Sequence, residues 1–298
     1  MKVAVFQKRS TYRKYVVEEQ DPLLSKLLRR RDPTVSRVRP SHLAHEATVR
    51  EVDRALATLG VDVVFRGGPR GRIPGKVDLV ITIGGDGTLL AASHQIGHGV
   101  PLLGINSAPE HSIGFFCAGQ KGTVLSTLRR AVEGHLPASE LTRMRVDLNG
   151  KLLDSRVLNE ALFCHASPAA TSRYILRITR ADGTFEEEDQ RSSGMWIGPA
   201  AGSTAAQRSA GGKILPLGSR RIQYVVREPY RPIGQRMRLS VGLLDADGKL
   251  TLRSKIRAGR VFIDGNRIVH PVTIGDVLVM RRSAEALTVL GLAAKRRT

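Results

Sequence analysis

Val77-Asp78-Leu79-Val80-Ile81-Thr82-Ile83-Gly84-Gly85-Asp86-Gly87-Thr88-Leu89-Leu90 is the stretch that decides the fold. A short apolar, β-branched run predicts a buried strand, and it stops at three glycines within four residues before Thr88 to Ser93 begins a helix. Glycines let backbone N–H groups come close to an anion, and a helix N-terminus adds partial positive charge, so this turn is a candidate phosphate cradle. Asp86 sits in the middle of it. A carboxylate is a poor phosphate ligand, so its presence points to chemistry on a hydroxyl or to a metal carried by the phosphates. The competing reading is a tight turn with a solvated Asp. A P-loop is excluded, because no Gly-Lys-Ser/Thr follows.

Working outward from that turn, Val3-Ala4-Val5-Phe6 predicts a first strand of the same sheet. Residues from Lys8 to about Pro40 are highly charged and interrupted by Pro22, Pro33 and Pro40, which predicts a partly mobile loop. Ser41 is placed as the N-cap of a helix that ends at Leu59-Gly60, and Val61 to Phe65 as the next strand. Val100 to Asn106 follows as another buried strand. Strands alternating with helices imply a layered α/β domain with a parallel sheet, in which ligands sit at the carboxyl ends of strands. His94 and His98 have helical metal-ligand spacing, but no third ligand accompanies them.

From about Arg143 the texture changes. Alternating runs break at Asn149-Gly150, Asp182-Gly183, Asp247-Gly248 and Asp264-Gly265, the strongest local hairpin signals, and predict a mostly antiparallel β domain. The expected division is an α/β domain over 1–138, a β-rich dinucleotide-binding domain over 139–272, and a segment 273–298 returning to the first. Gly198 to Gly212 forms a second glycine-rich element. It predicts either backbone and hydroxyl groups offered at a helix N-terminus or close helix-to-sheet packing, and is expected to bracket a ligand together with the first turn.

The 298 residues are 41% hydrophobic and carry a formal charge of +20. Such a surface attracts polyanions, but the aromatic content of 4% and the lack of zinc-finger spacing disfavour a dedicated nucleic-acid module. No run of about eighteen apolar residues occurs, which predicts a cytoplasmic protein without a membrane partner. Cys117 and Cys164 read as buried, reduced thiols.

Gly84-Gly85-Asp86-Gly87-Thr88 resembles the signature of the superfamily of NAD kinases, diacylglycerol and sphingosine kinases and 6-phosphofructokinases. Leu158-Asn159-Glu160-Ala161, then Gly202-Ser203-Thr204-Ala205 and Ser209-Ala210-Gly211-Gly212, resemble NAD kinases in order and spacing. Arg191-Ser192-Ser193-Gly194 and Ala200 to Ala206 are similar to the plant-type NADH kinases.

The resemblance implies ATP-dependent phosphorylation of NAD(H), with Mg²⁺ accompanying the ATP and a homo-oligomeric dimer or tetramer. It implies that Asp86 activates the 2′-hydroxyl of the adenosine ribose and that Gly84, Gly85, Gly87 and Thr88 lie beside the reacting phosphates. It further implies that Asn159, Glu160, Ser193, Ser203, Thr204, Ala205 and Ser209 meet NAD(H). Two departures stand out: Pro199-Ala200-Ala201-Gly202 stands where the family commonly reads Thr-Pro-Thr-Gly, so two hydroxyl contacts are missing, and Ala206 replaces a tyrosine. Residues Ser107 to Ser112 are an insertion before Gly114-Phe115-Phe116, where the family places an aromatic near the ligand. Ser193 stands where NAD kinases usually carry Asp, which implies that NADH is accepted at least as well as NAD⁺. The alternatives are a lipid kinase of the diacylglycerol type and a catalytically idle nucleotide-binding or nucleic-acid-binding protein.

Overall fold

The computed structural model describes residues 1–230 and 237–292. The chain divides into two compact units, Met1–Ser139 with a return beginning at Leu287, and a second unit from Glu140 to Ala286. Of the expected C-terminal segment, Val277–Arg282 pairs within the second unit, and the last six residues lie outside the described ones.

In the first unit β1 is Lys2–Gln7, α1 Pro22–Arg29, α2 Val38–Thr58, β2 Asp62–Gly67 and β3 Leu79–Gly84. Then come α3 Asp86–Ser93, β4 Leu102–Asn106, β5 Cys117–Gln120, α4 Val124–Val132 and β6, which begins at Ala138. The sheet runs β2-β1-β3-β4, all parallel, and continues through Leu287–Leu290, with β5 alongside β4. All six residues of β3 are buried, which is why it reads as an unbroken apolar run. Val52 and Leu56 of α2 and Leu128 of α4 pack on Val5, Ile81 and Ile105 in one cluster. The strand order reverses between β1 and β3, so the glycine turn sits at a topological switch point of the sheet.

Two expectations for this unit fail. The segment from Lys8 to Pro40 is largely helical: a π-helical turn spans Tyr12–Glu18, followed by α1 and a 3₁₀ turn at Pro33–Val35. Asp21-Pro22 and Asp32-Pro33 are helix starts, an Asp N-cap followed by proline at the first helical position, with Asp21 Oδ1 accepting from the Leu24 N–H at 2.8 Å. Ser41 is not an N-cap but lies inside α2, its hydroxyl donating to Val38 O at 3.3 Å. Pro40 falls in the first turn of that helix, where a missing N–H removes no intrahelical bond.

The second unit is built from β7 Met144–Leu148, β8 Lys151–Val157, β9 Ala161–His165, β10 Ser172–Thr179, β11 Phe185–Ser192 and β12 Met195–Pro199. A 3₁₀ turn Ala200–Thr204 and a four-residue helix α5, Ala206–Ser209, precede β13 Ile222–Val226, β14 Val241–Leu244 and β15 Lys249–Ser254. Last come β16 Gly259–Ile263, β17 Ile268–Val272 and β18 Val277–Arg282. Two six-stranded sheets result, β11-β10-β15-β18-β7-β8 and β14-β13-β12-β9-β16-β17. Alternate residues of both, among them Phe163, Tyr174, Leu252, Val261 and Met280, form one core, as in a β-sandwich. Asn149-Gly150 closes the β7–β8 hairpin with φ of 51° and 78°, the geometry that pairing selects. Asp247-Gly248 does not close a hairpin: β14 pairs with β13 and β15 with β10, so this turn passes the chain between sheets.

Candidate active site

The turn after β3 is shorter than expected, because α3 already begins at Asp86, with Gly85 as an N-cap that brings no side-chain bond. The first N–H groups of α3 therefore have no capping side chain and add to the positive end of the helix. Asp86 is half-buried and oriented from outside its own helix. Its Oδ2 accepts the Phe115 N–H at 2.9 Å and its Oδ1 the Phe116 N–H at 2.8 Å. One donor on each oxygen fixes the carboxylate plane and leaves a further lone pair on each. The competing solvated-Asp reading does not describe this geometry.

Asn106, at the end of β4, builds the loop that delivers those donors. It is 4% exposed, its amide donates to Ser112 O at 2.9 Å, and its Oδ1 accepts from the Ala108 N–H at 3.2 Å. Gly114, with φ +64°, packs so closely on Asn106 that a side chain there would collide with the amide. The inserted Ser107 to Ser112 segment is thus folded back on the strand end rather than left to drift. Phe116 is buried and meets Phe115 edge-on at 5.1 Å, which makes it a core residue. Thr88 is also buried, its side chain lying over Gly84 so tightly that no Cβ fits there, while Gly87 is exposed with open space around it.

Lys8 follows β1 and lies level with the turn, its N–H donating to Ile83 O at 2.8 Å. Burial holds its ammonium below the usual lysine range. Nothing in the sequence singled it out, since its position became informative only once β1 was placed beside β3. Cys117 and Cys164 are free and half-buried rather than buried. Burial, reinforced by the charge of Asp86, pushes the Cys117 thiol up to about 12.

In the second unit Asn159 and Glu160 stand between β8 and β9, Glu160 buried and Asn159 partly so. Gly198 and Gly202 pack directly on them: a Cβ at either would strike the Asn159 carbonyl. Gln207 Nε2 donates to that same carbonyl at 3.3 Å, and Gln207 Oε1 accepts from Gln223 Nε2 at 3.1 Å. Asn159 Oδ1 and Glu160 Oε2 are both buried without a hydrogen-bond partner. Burial and then the charge of Asp264 push the Glu160 carboxyl up to about 8.

The residues expected to meet NAD(H) differ in their placement. Ser203 is enclosed at 0% exposure, its hydroxyl donating to Ala200 O at 2.9 Å and accepting from the Leu215 N–H at 2.8 Å, so it secures the turn from within. Thr204 and Ala205 are half-buried and Ser209 is exposed. The expected Ala-rich helix is only the single turn of α5, ending before Gly211 at φ +93°. Ser193, half-buried, lies at the β11–β12 turn, its N–H donating to Arg227 O at 3.0 Å.

Residues 65–136 match the family model described as the ATP-NAD kinase N-terminal domain. A probable NADH kinase of Oryza sativa subsp. japonica is 36% identical over 232 residues, covering 72% of this chain and 71% of that protein. The NADH kinase of Arabidopsis thaliana is also 36% identical, over 230 residues and 72% of each. The fold matches the crystal structure of yeast NADH kinase complexed with NADH at a TM-score of 0.73 and 17% identity, over 99% of this chain and 84% of that one. The chain is a kinase of the α/β-plus-β architecture these proteins share. It belongs to the NAD kinase family. The lipid-kinase alternative finds no support among these relatives.

Proposed function

We propose that the protein transfers the γ-phosphoryl group of ATP to the 2′-hydroxyl of the adenosine ribose of NAD(H), giving NADP(H) and ADP, and that it accepts NADH at least as well as NAD⁺. The observation that carries this reading is the Asp86 carboxylate, held by two N–H groups at the mouth of a glycine turn in a chain 36% identical to plant NADH kinases.

In this reading Asp86 accepts a hydrogen bond from the 2′-hydroxyl and takes its proton as the new O–P bond forms and the bond from Pγ to the bridging oxygen breaks. The uncapped N-terminus of α3, with Gly84, Gly85 and Gly87, supplies the positive potential that phosphates need. No group of three His, Cys, Asp or Glu among the described residues could hold a metal. Mg²⁺ accompanying the ATP would neutralise phosphate charge. Asn159, Glu160, Thr204, Ala205, Ser209 and Ser193 are assigned to the dinucleotide, and Ser203 to the turn that carries them. A cytoplasmic homo-oligomer completes the reading; among the described residues no helix is long and apolar enough to cross a membrane.

The test is to incubate the purified protein with Mg-ATP and NAD⁺, NADH or a diacylglycerol and to identify the product. NADP(H) formation is expected. Phosphorylation of the lipid alone, or of nothing, would overturn the reading.

A further inference from the structure

Asp264 entered the sequence reading only as half of an Asp-Gly turn signal, yet it organises the Asn159–Glu160 pair. It opens the β16–β17 turn in the left-handed region, at φ +44°. Its carboxylate reaches across 104 to 106 residues of sequence to accept the N–H groups of Leu158 at 2.8 Å, Asn159 at 2.7 Å and Glu160 at 3.1 Å. Its own N–H donates to Glu160 O at 3.0 Å. On the opposite side Gly198, Gly202 and Gln207 close on the Asn159 carbonyl. The backbone of the pair is therefore held from both sides, while Asn159 Oδ1 and Glu160 Oε2 are buried with nothing to bond.

Two bare acceptor atoms in a low-dielectric site are costly unless a ligand meets them or one becomes a donor. Asp264 brings a negative charge up to Glu160, while Gly198, Gly202 and Gln207, packed against the pair, are uncharged. The buried Arg143 is a cation that senses the Asp264 charge, together with the charges of the half-buried Arg156, Asp154 and Glu285. Burial, and then the charge of Asp264, favour a proton on the Glu160 carboxyl. The oxygens of Asp264 already accept three N–H groups, so the open position for that proton is Glu160 Oε2.

We propose that Asp264 is a positioning residue for the dinucleotide: it sets the Asn159–Glu160 backbone through three N–H bonds and makes the Glu160 carboxyl a hydrogen-bond donor. The pair then offers one donor and one acceptor to the adenosine half of NAD(H). This rests on the functional reading above and adds a proton inventory to it. Glu160, which as a carboxylate could only accept, becomes a neutral acid that donates.

The experiment is equilibrium binding of NADH, read by its own fluorescence from pH 6.5 to 9, for the native protein and for Glu160→Gln, Glu160→Ala and Asp264→Asn. Native affinity is expected to weaken by about tenfold at pH 9, as the donor form becomes a minority. Glu160→Gln, a permanent donor, should bind more tightly than Glu160→Ala and with no pH dependence of its own. Asp264→Asn should move the midpoint of the native profile to lower pH and raise the KM for NAD(H) several-fold, with the KM for ATP unchanged. A role confined to folding would leave the midpoint where it was. Native binding that is flat across the range, or Glu160→Gln as weak as Glu160→Ala, overturns the proposal and leaves the functional reading intact. Failure of the native protein to bind any dinucleotide overturns both.

Discussion

The two glycine-rich elements look alike in sequence and are unlike in structure. In the turn after β3 the glycines face side chains or open space: Gly84 the side chain of Thr88, Gly85 the hydroxyl of Ser112, and Gly87 nothing within 4 Å. In the run after β12, Gly198 and Gly202 face backbone, the Asn159 carbonyl that both touch. The first element is closed by side chains at Gly84 and Gly85 and open only at Gly87, and the second is closed on its own backbone. Glycine makes room for side chains in one place and for backbone in the other, so a glycine-rich motif by itself does not say which.

The sharpest way to break this comparison is Asp86→Asn. If the first element is where the chemistry occurs, turnover should fall by about a hundredfold or more, the scale for losing a general base. The structure adds a second cost: an amide has only one acceptor atom, so either Phe115 N–H or Phe116 N–H loses its partner, with a stability loss of about 1–2 kcal/mol. Steady-state kinetics and urea denaturation separate the two effects. A folded variant with near-native turnover would make Asp86 a loop anchor and nothing more.

The second element should instead announce itself through pH. The folded-state value for Glu160 is raised to about 8, so between its unfolded range near 4.5 and about 8 the folded protein holds a proton that the unfolded chain releases. Stability must then fall as pH rises through that window, by roughly 3 kcal/mol on the scale of 1.4 kcal/mol per unit once relaxation is allowed for. Urea midpoints at pH 5 and pH 8, for the native protein and Glu160→Gln, measure it. An equal slope in both proteins would assign the effect to other groups.

Much of this is legible in the sequence alone. The β3 run and its glycine stop, the parallel sheet and the Asn-Gly hairpin follow from local rules that the packing does not contradict. What escaped notice depends on partners far away in sequence. Asp264 acts on Leu158, Asn106 acts through Ser112 on the donors of Asp86, and Lys8 matters because β1 lies beside β3. None of these has a periodicity or a composition. The helices from Tyr12 to Val35 were missed for another reason. Proline was read as a breaker where Asp-Pro was in fact starting a helix.

Exchanging glycine for alanine puts the comparison itself on trial. Gly202→Ala drives a methyl into the Asn159 carbonyl, and since backbone cannot rotate away the expected loss is about 1–3 kcal/mol, with weakened NAD(H) binding. Gly87→Ala meets no atom and lies in the first turn of α3, so stability should hold or rise slightly; any loss should appear in the KM for ATP. Thermal melts and both Michaelis constants are the readout. Equal destabilisation by the two changes would erase the distinction.

The smallest expected effect concerns Ser193, in the second unit where β11 turns into β12. The obvious objection to a role in cofactor choice is that a serine here merely shapes the turn. Its neighbour does that work. Ser192 Oγ accepts the Gly194 N–H at 3.0 Å, donates to Gly194 O at 3.2 Å and meets Tyr174 Oη at 3.1 Å, while Gly194 takes φ +110° against the Phe163 carbonyl. Ser193 is tied in through its backbone, and no bond to its hydroxyl is formed among the described residues. It lies opposite Arg227, whose guanidinium sits over the Trp196 ring at 5.8 Å. If the nicotinamide binds beside Ser193, as proposed, a cation here would disfavour the charged ring of NAD⁺ and be indifferent to the neutral ring of NADH. Ser193→Asp should reverse part of that bias, yet the new carboxylate will be solvent-screened and partly neutralised by Arg227. The ratio of kcat/KM for NADH over NAD⁺ is therefore expected to fall by only about two- to fivefold, the scale of an exposed charge pair. A native preference for NAD⁺ of about tenfold or more, unchanged by Ser193→Asp, would remove Ser193 from cofactor selection.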